Sequence, residues 1–280
     1  MKNRILSLDL APGQAALFYL GQVGFLLKYA GRYILIDGYL TDYVDRNCCT
    51  EAVTWVRLYA PPLKPEELDF VDFVFCTHAH FDHMDPWTLA AIAKVNNKAR
   101  FYGPRSVTSL LPEYGIPASA ITEVRTDQAM NLGDGISFTA IPSAHEELHP
   151  DGENSYLEVG YIFTLGNLRI YHSGDCCLYD GLEERIMHMD ALLLPINGRD
   201  YYRTVRKDII GCFDSVEAIT LAKNTGAGLL IPMHYDLYDV NAVNPAYFID
   251  CLKAQSPAQS FHLFTPGEGY ILSKGTIRPD

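Results

Sequence analysis

Two successive strand-rich blocks, each with its own helices, predict an α/β chain. The expected architecture is an αββα sandwich, two packed mixed β-sheets with helices on both outer faces. Three observations carry this. Short apolar, β-rich runs recur along the chain, bounded by Gly or Pro. Helical stretches fall between and after them, opened by capping residues such as Asp85 before Pro86. No internal repeat of solenoid period breaks that order. The 280 residues are expected to form one domain over 1–280, with internal pseudo-symmetry.

Strands are expected over 16–20, 25–29 and 33–36, with Ala30-Gly31 as a hairpin turn. Residues 39–66 depart from this rhythm. They hold many Tyr, Arg and Pro residues and end in Ala60-Pro-Pro-Leu-Lys-Pro-Glu-Glu-Leu. Long loops in compact domains tend to be functional, so 39–60 is the candidate substrate-covering segment. A surface excursion or an oligomer contact is the alternative. A strand over 70–76 follows, then a helix through 87–95 with Leu89, Ile92 and Ala93 on one face. A strand over 100–102 and a helix near 106–111 precede a strand-dominated stretch from 121 to 170. Helices are expected over 214–223 and 244–253, and a strand over 228–232. Strands over 261–263 and 269–272 close the sheet.

The most informative stretch is Val74-Phe-Cys-Thr-His78-Ala-His80-Phe-Asp82-His83-Met-Asp85. It packs three histidines and a carboxylate into six residues directly after an apolar run. Imidazole nitrogen and carboxylate oxygen are the donors that borderline divalent metals prefer. His78 and His80 are two apart, so a continuing extended chain puts them on one side. Asp82 and His83 fall where the chain must turn and can face a second metal. Three further strand-like runs end in a donor: 136–144 in His145, 168–174 in Asp175 and 228–233 in His234. Loops at strand ends are where a rigid sheet presents chemistry.

The H-x-H-x-D-H motif followed by spaced His, Asp and His resembles the metallo-β-lactamase-fold hydrolases. The opening segment from Leu20 to Asp37 is similar to that family's first hairpin and its buried aspartate. The resemblance covers nearly the whole chain. It implies one metal held by His78, His80 and His145, a second held by Asp82, His83 and His234, and Asp175 bridging them. Tyr171-His-Ser-Gly-Asp175, Ile231-Pro-Met-His-Tyr-Asp236 and Phe101-Tyr-Gly-Pro104 look like the L-ascorbate-6-phosphate lactonase-like branch. That likeness implies a lactone or ester of a small phosphorylated metabolite as substrate, and Mn as metal. His-rich ligation also suits Zn, and mixed His and carboxylate ligation admits Fe.

Two bridged metals would lower the pKa of a shared water toward neutrality and supply the attacking hydroxide. No Ser or Cys nucleophile is then required, and no G-x-S-x-G elbow is present. Asp82 is the candidate catalytic residue, both ligand and the group that orients the hydroxide; orienting a histidine from behind is its alternative role. Asn197, Arg199, Tyr201 and Arg203 follow the apolar run 191–194 and are the candidate substrate-binding residues. Their planar Arg donors suit a small anionic metabolite. Cys76 is expected in the core, and Cys176 either packed or lining the site. His172 is expected in a buried structural role, and His149, His188 and His262 at the surface or in packing. Asp37 is expected to anchor a ligand histidine, with Tyr235 and Asp236 at the rim.

Composition bounds the rest. Apolar residues make up 48% and charged residues 20%, ordinary for a soluble globular domain. The formal net charge of −12 argues against nucleic acid as a partner. No apolar run approaches the roughly 20 residues that span a bilayer, so no membrane role is expected. The N-terminus is too weakly apolar for a signal peptide, and seven cysteines suit a reduced cytoplasmic protein. A homo-oligomer is left open. The leading rival is a phosphodiesterase or ribonuclease of the same fold, which would want basic surface or an extra RNA-binding arm. A flavodiiron-type redox protein would need an appended flavin domain. A non-catalytic relic would not be expected to keep the full ligand set, nor a β-lactamase to lack an export signal.

Overall fold

The computed structural model describes residues 1–274; the last six residues of the domain expected over 1–280 lie outside them. The first half runs α1 (Lys2–Ser7), β1 (Ala15–Gly21), β2 (Gly24–Tyr29), β3 (Arg32–Ile36), α2 (Tyr43–Asn47), β4 (Phe73–Phe75), α3 (Pro86–Val95), β5 (Arg100–Gly103), α4 (Arg105–Thr108) and β6 (Ile121–Glu123). The second half runs β7 (Ala129–Gly133), β8 (Ile136–Pro142), β9 (Val159–Leu165), β10 (Leu168–His172), α5 (Leu182–Arg185), β11 (Ala191–Pro195), α6 (Ser215–Thr225), β12 (Leu229–Met233), α7 (Pro245–Gln255) and β13 (Gly269–Leu272).

Two sheets result. The seven-stranded sheet has the order β13-β1-β2-β3-β4-β5-β6, and the six-stranded sheet β12-β11-β10-β9-β8-β7. Both are mixed. In the first, β1 to β3 are antiparallel and β3 to β6 parallel. In the second, β7 to β10 are antiparallel and β10 to β12 parallel. β13 returns to the first sheet and pairs antiparallel with β1.

The period-2 alternation of buried strands explains the layering. On β1, Ala15, Leu17 and Tyr19 enter the core between the sheets, while Ala16, Phe18 and Leu20 pack on the helical side. On β11 and β12, Leu193 and Ile231 point inward and Leu192 and Leu230 outward, toward α6 and α7. Phe75 is the hub of the inner layer. It stacks on Tyr102 at 4.7 Å and meets Phe138, Tyr161 and Phe163 edge-on at 4.8 to 5.0 Å. Helices close both outer faces, so the αββα sandwich is the observed fold.

Most element expectations hold, and the departures have local reasons. α3 begins as expected: Asp85 caps it by accepting from Trp87 N at 3.0 Å, and Pro86 follows at the first position. α6 carries a capping box between Asp214 and Glu217. The helix expected near 106–111 is split, α4 giving way to a short 3-10 turn, Leu111–Tyr114, that starts beside Pro112. The strand expected over 261–263 reduces to a single bridge between Phe261 and Leu230 on the edge strand β12. α1 had no amphipathic run long enough to announce it. Its carbonyls are held instead by the buried Lys28, whose Nζ donates to the oxygens of Ile5, Leu6 and Leu8. No helix of the described residues is long and apolar enough to cross a membrane.

Candidate metal centre

The loops after β4, β8, β10 and β12 converge on one point. His78, His80, Asp82 and His83 follow β4, His145 follows β8, Asp175 follows β10 and His234 follows β12. The stretch after His80 turns sharply: His83 N and Met84 N both donate to His80 O, at 3.0 and 2.7 Å. That turn brings Asp82 toward His234, while the His83 ring stays 4.0 Å from the His78 ring. The Asp175 loop approaches so closely that a Cβ on Gly174 would lie 2.8 Å from Thr77 Cβ, and its φ is +60°. His234 holds φ +58°, a strained value for a non-glycine residue, fixed by its amide donating to Gln22 O at 2.8 Å.

The side chains form interlocking groups whose donor atoms lie within 4.8 Å of one another: His78, His80 and His145; His78, His83 and Asp175; Asp82, His83 and His234. Asp175 joins them. Its Oδ1 is 3.3 Å from His83 Nε2, while its Oδ2 is 3.4 Å from His234 Nε2 and 3.6 Å from His145 Nε2. Asp82 Oδ2 is 3.6 Å from His234 Nε2 and 3.9 Å from His83 Nε2. His78 Nε2, His83 Nε2, His145 Nε2 and Asp175 Oδ1 are buried and lack any hydrogen-bond partner. Buried polar atoms are rarely left so. Four of them facing one another, all metal-donor atoms, fit divalent cations.

The opposite ring edges are fixed. Asp37 is fully buried behind the site and accepts from Thr77 N at 2.8 Å and from Thr77 Oγ1 at 2.7 Å. The same carboxylate takes His83 Nδ1 at 2.8 Å. Thr77 Oγ1 in turn lies 3.0 Å from His78 Nδ1. Such partners set ring orientation and raise ligand basicity. His172 is buried, with Nε2 donating to Val23 O at 2.8 Å and Nδ1 accepting from Gly174 N at 3.2 Å. It shapes the Asp175 loop from behind, the structural part expected for it.

Electrostatics divide the cluster. Burial pulls His78 well below its ordinary pKa, lowers His80, and brings His145 down to about 4. These three are neutral and ready to ligate. For His83 and His234 burial acts in the same sense, but the carboxylates outweigh it. Asp175, Asp82 and Asp37 raise His83 well above its usual value, and Asp175 with Asp82 raises His234 to about 9. Asp175 and Asp82 are themselves held below the carboxylate range despite burial, Asp175 chiefly by His234 and Asp82 chiefly by His83.

A cleft of about 270 Å³ opens onto these donors. His80, Asp82, His145, Asp175 and His234 form its floor; Val44, Cys48, Trp55, Phe81, Ile209 and Tyr238 supply apolar wall. Val44, Cys48 and Trp55 belong to the segment 39–60, which therefore covers the site. It is tied down by Tyr238 Oη donating to Tyr39 Oη at 2.7 Å, Tyr39 Oη donating in turn to Asp45 at 3.2 Å, and by Lys207 Nζ donating to Ala52 O at 2.7 Å.

The expected anion clamp is not in this cleft. Arg199 forks onto both oxygens of Glu217, the capping-box residue of α6, and also donates to Cys212 O. Arg203 is spent on Asp200 and on the carbonyls of Asn197 and Ala242. Asn197 is buried and donates to Asn241 Oδ1 at 3.2 Å; Tyr201 is exposed; neither lines the cleft. Nor do Tyr235 and Asp236 form its rim. Tyr235 Oη donates to Phe264 O, and Asp236 accepts from Tyr59 Oη at 2.7 Å and Tyr19 Oη at 3.1 Å. Cys176 packs under the second sheet, away from the donors.

Two participants had no signal in the sequence. Gln22, buried in the β1–β2 turn with φ +56°, donates from Nε2 to Asp82 Oδ2 at 2.9 Å and lies 3.1 Å from His234 Nε2. Cys212, and not Cys176, comes within 4.8 Å of His145 and Asp175. Burial raises its thiol well above the usual value.

Comparison with known proteins agrees with this geometry. A model of the β-lactamase superfamily domain matches residues 32–235. The chain is 27% identical over 267 residues to a UPF0173 metal-dependent hydrolase of Archaeoglobus fulgidus, covering 91% of this chain and 98% of that one. A protein of Veillonella parvula described as a possible metal-dependent hydrolase superimposes with a TM-score of 0.72 at 15% identity, over 92% of this chain and 99% of that one. An isothiocyanate hydrolase from Delia radicum gut bacteria does so with 0.72 at 19% identity, over 91% and 98%. The chain belongs to the β-lactamase superfamily, with the metallo-β-lactamase fold and a His and Asp cluster able to bind metal, among relatives named metal-dependent hydrolases.

Proposed function

We propose that the protein is a dinuclear metal-dependent hydrolase that opens a lactone or cleaves an ester of a small metabolite. Asp175 is the observation that carries this reading, because its oxygens reach His145 of one donor group and both His83 and His234 of the other. One ion would sit among His78, His80 and His145, the other among Asp82, His83 and His234, with Asp175 between them. Zn and Mn both suit this donor set, and Fe is admitted. Bound there, the ions would lower the pKa of a water and polarise the substrate's acyl oxygen.

The chain's own residues do the rest. Asp82 is open to the cleft on one edge and held by Gln22 on the other, so a carboxylate oxygen is placed to orient the attacking water. Asp37 and Thr77 fix the rings of His83 and His78 in advance, so the site need not reorganise during reaction. Trp55, Phe81 and Tyr238 keep bulk water from the bond being cleaved. All seven cysteines stand free, which supports a reducing, cytoplasmic setting.

Metal-free protein reloaded separately with Mn and Zn should hydrolyse members of a panel of lactones, phosphodiesters and a cephalosporin. Metal-restored lactone or ester hydrolysis that disappears in His80→Ala is the expected result. Activity confined to phosphodiesters would overturn the reading in favour of a nuclease-type reaction.

A further inference from the structure

The wall of the cleft, away from the metal donors, is mostly apolar. Val44, Cys48, Trp55, Phe81, Ile209 and Ile210 line it, and no lysine or arginine does among the described residues. Four cations of the neighbouring segments are engaged elsewhere. Arg199 and Arg203 are bonded as described above. Arg57 donates to Tyr59 O and Thr41 O and lies over the Tyr39 ring, and Lys207 holds Ala52 O. The charge that does face the cleft beyond the donors is the carboxylate of Asp208. A phosphate or sulfate on the substrate's far end would lose water and meet apolar atoms and a like charge, which is strongly unfavourable. The volume, about 270 Å³, lies below the roughly 300–1,000 Å³ of pockets for drug-sized ligands.

We infer that the substrate is a small, uncharged lactone or ester carrying an apolar arm that lies against Trp55, Phe81 and Ile210, and not a phosphorylated metabolite. This rests on the hydrolase reading for the reacting group, and on the cleft wall alone for the rest of the molecule.

Two measurements on the metal-loaded protein separate those claims. In the first, alkyl γ-lactams of increasing chain length, which mimic the lactone without being hydrolysed, are titrated while fluorescence of Trp55 is followed, with Trp55→Phe as the blank. Each added methylene should tighten binding by up to about fourfold until the cleft is filled, and a lactam ending in a phosphate should bind far more weakly. In the second, neutral and phosphate-bearing lactones of one length are compared as substrates. The neutral one should be favoured in kcat/KM by about a hundredfold, and Ile210→Arg should narrow that ratio. Preference for the phosphate-bearing compound in either measurement, or no binding of any lactam, would overturn the inference. Graded lactam binding without hydrolysis of any lactone would support it and overturn the hydrolase reading instead.

Discussion

The two groups of candidate metal donors use similar residues in opposite electrostatic states. His78, His80 and His145 form a trio that burial keeps neutral. Asp82, His83 and His234 mix a carboxylate with two imidazoles that neighbouring carboxylates keep protonated before metal binds. A cation entering the first half would displace no proton from His145 above about pH 4, whereas one entering the second would have to expel protons from His83 and His234. Ligand identity alone therefore does not define a metal site. Burial makes one half hard to protonate, and the carboxylates of Asp175, Asp82 and Asp37 make the other hard to deprotonate.

The largest expected effect breaks the link itself. Asp175→Ala should lower hydrolysis on the order of ten-thousandfold, since members of one catalytic unit fail together, and weaken metal retention in both halves. Loss confined to one half would show that Asp175 is not shared.

Acidity should divide the halves next. His234 has its pKa raised to about 9, so its proton is bound below that pH and metal must compete with it; affinity of this half rises with pH up to about 9. Each displaced proton weakens it by roughly tenfold per pH unit below that value. The trio should keep its metal down to about pH 5, because His145 takes a proton only near 4. Calorimetric titration with Zn at several pH values reads both trends, and parallel curves would contradict the division.

Asp37→Asn tests the support of one half. It should reduce affinity of the carboxylate-bearing half, which it touches directly, by about 10- to 100-fold and weaken the trio less, through Thr77 and His78. Equal loss in both would mean that Asp37 acts through general stability of the Thr77 region. The smallest effect is expected outside the comparison. Arg199→Ala removes a partly exposed ion pair with Glu217, so stability should fall by less than about 1 kcal/mol, with KM unchanged within error. A sharp rise in KM would return Arg199 to the cleft.

How far the sequence foretold this site follows from the range of each interaction. The seven donors were legible because each ends a short apolar strand, and a strand end is a local feature. The role of Asp37 was legible for the same reason. Arg199 misled because its partner Glu217 lies 18 residues away in a capping box, and a planar cation beside a strand end looks alike whether or not it is already paired. Gln22 and Cys212 carried no motif; they reach the site only through the closure of one hairpin and the fold-back of the 207–214 loop. The two sheets were foreseen as such, but residue 261 settled as one bridge at the edge of β12, because pairing there depends on a partner strand and not on the apolar run.

The most direct test of the central claim is the number of metal ions retained per chain, counted by elemental mass spectrometry after reloading at about pH 8 and again after dialysis to about pH 5.5. Two ions at the higher pH and one at the lower, the survivor abolished by His145→Ala, is the predicted result. One ion or none at the higher pH, or the loss of both together on acidification, would contradict a bridged centre with two unlike halves.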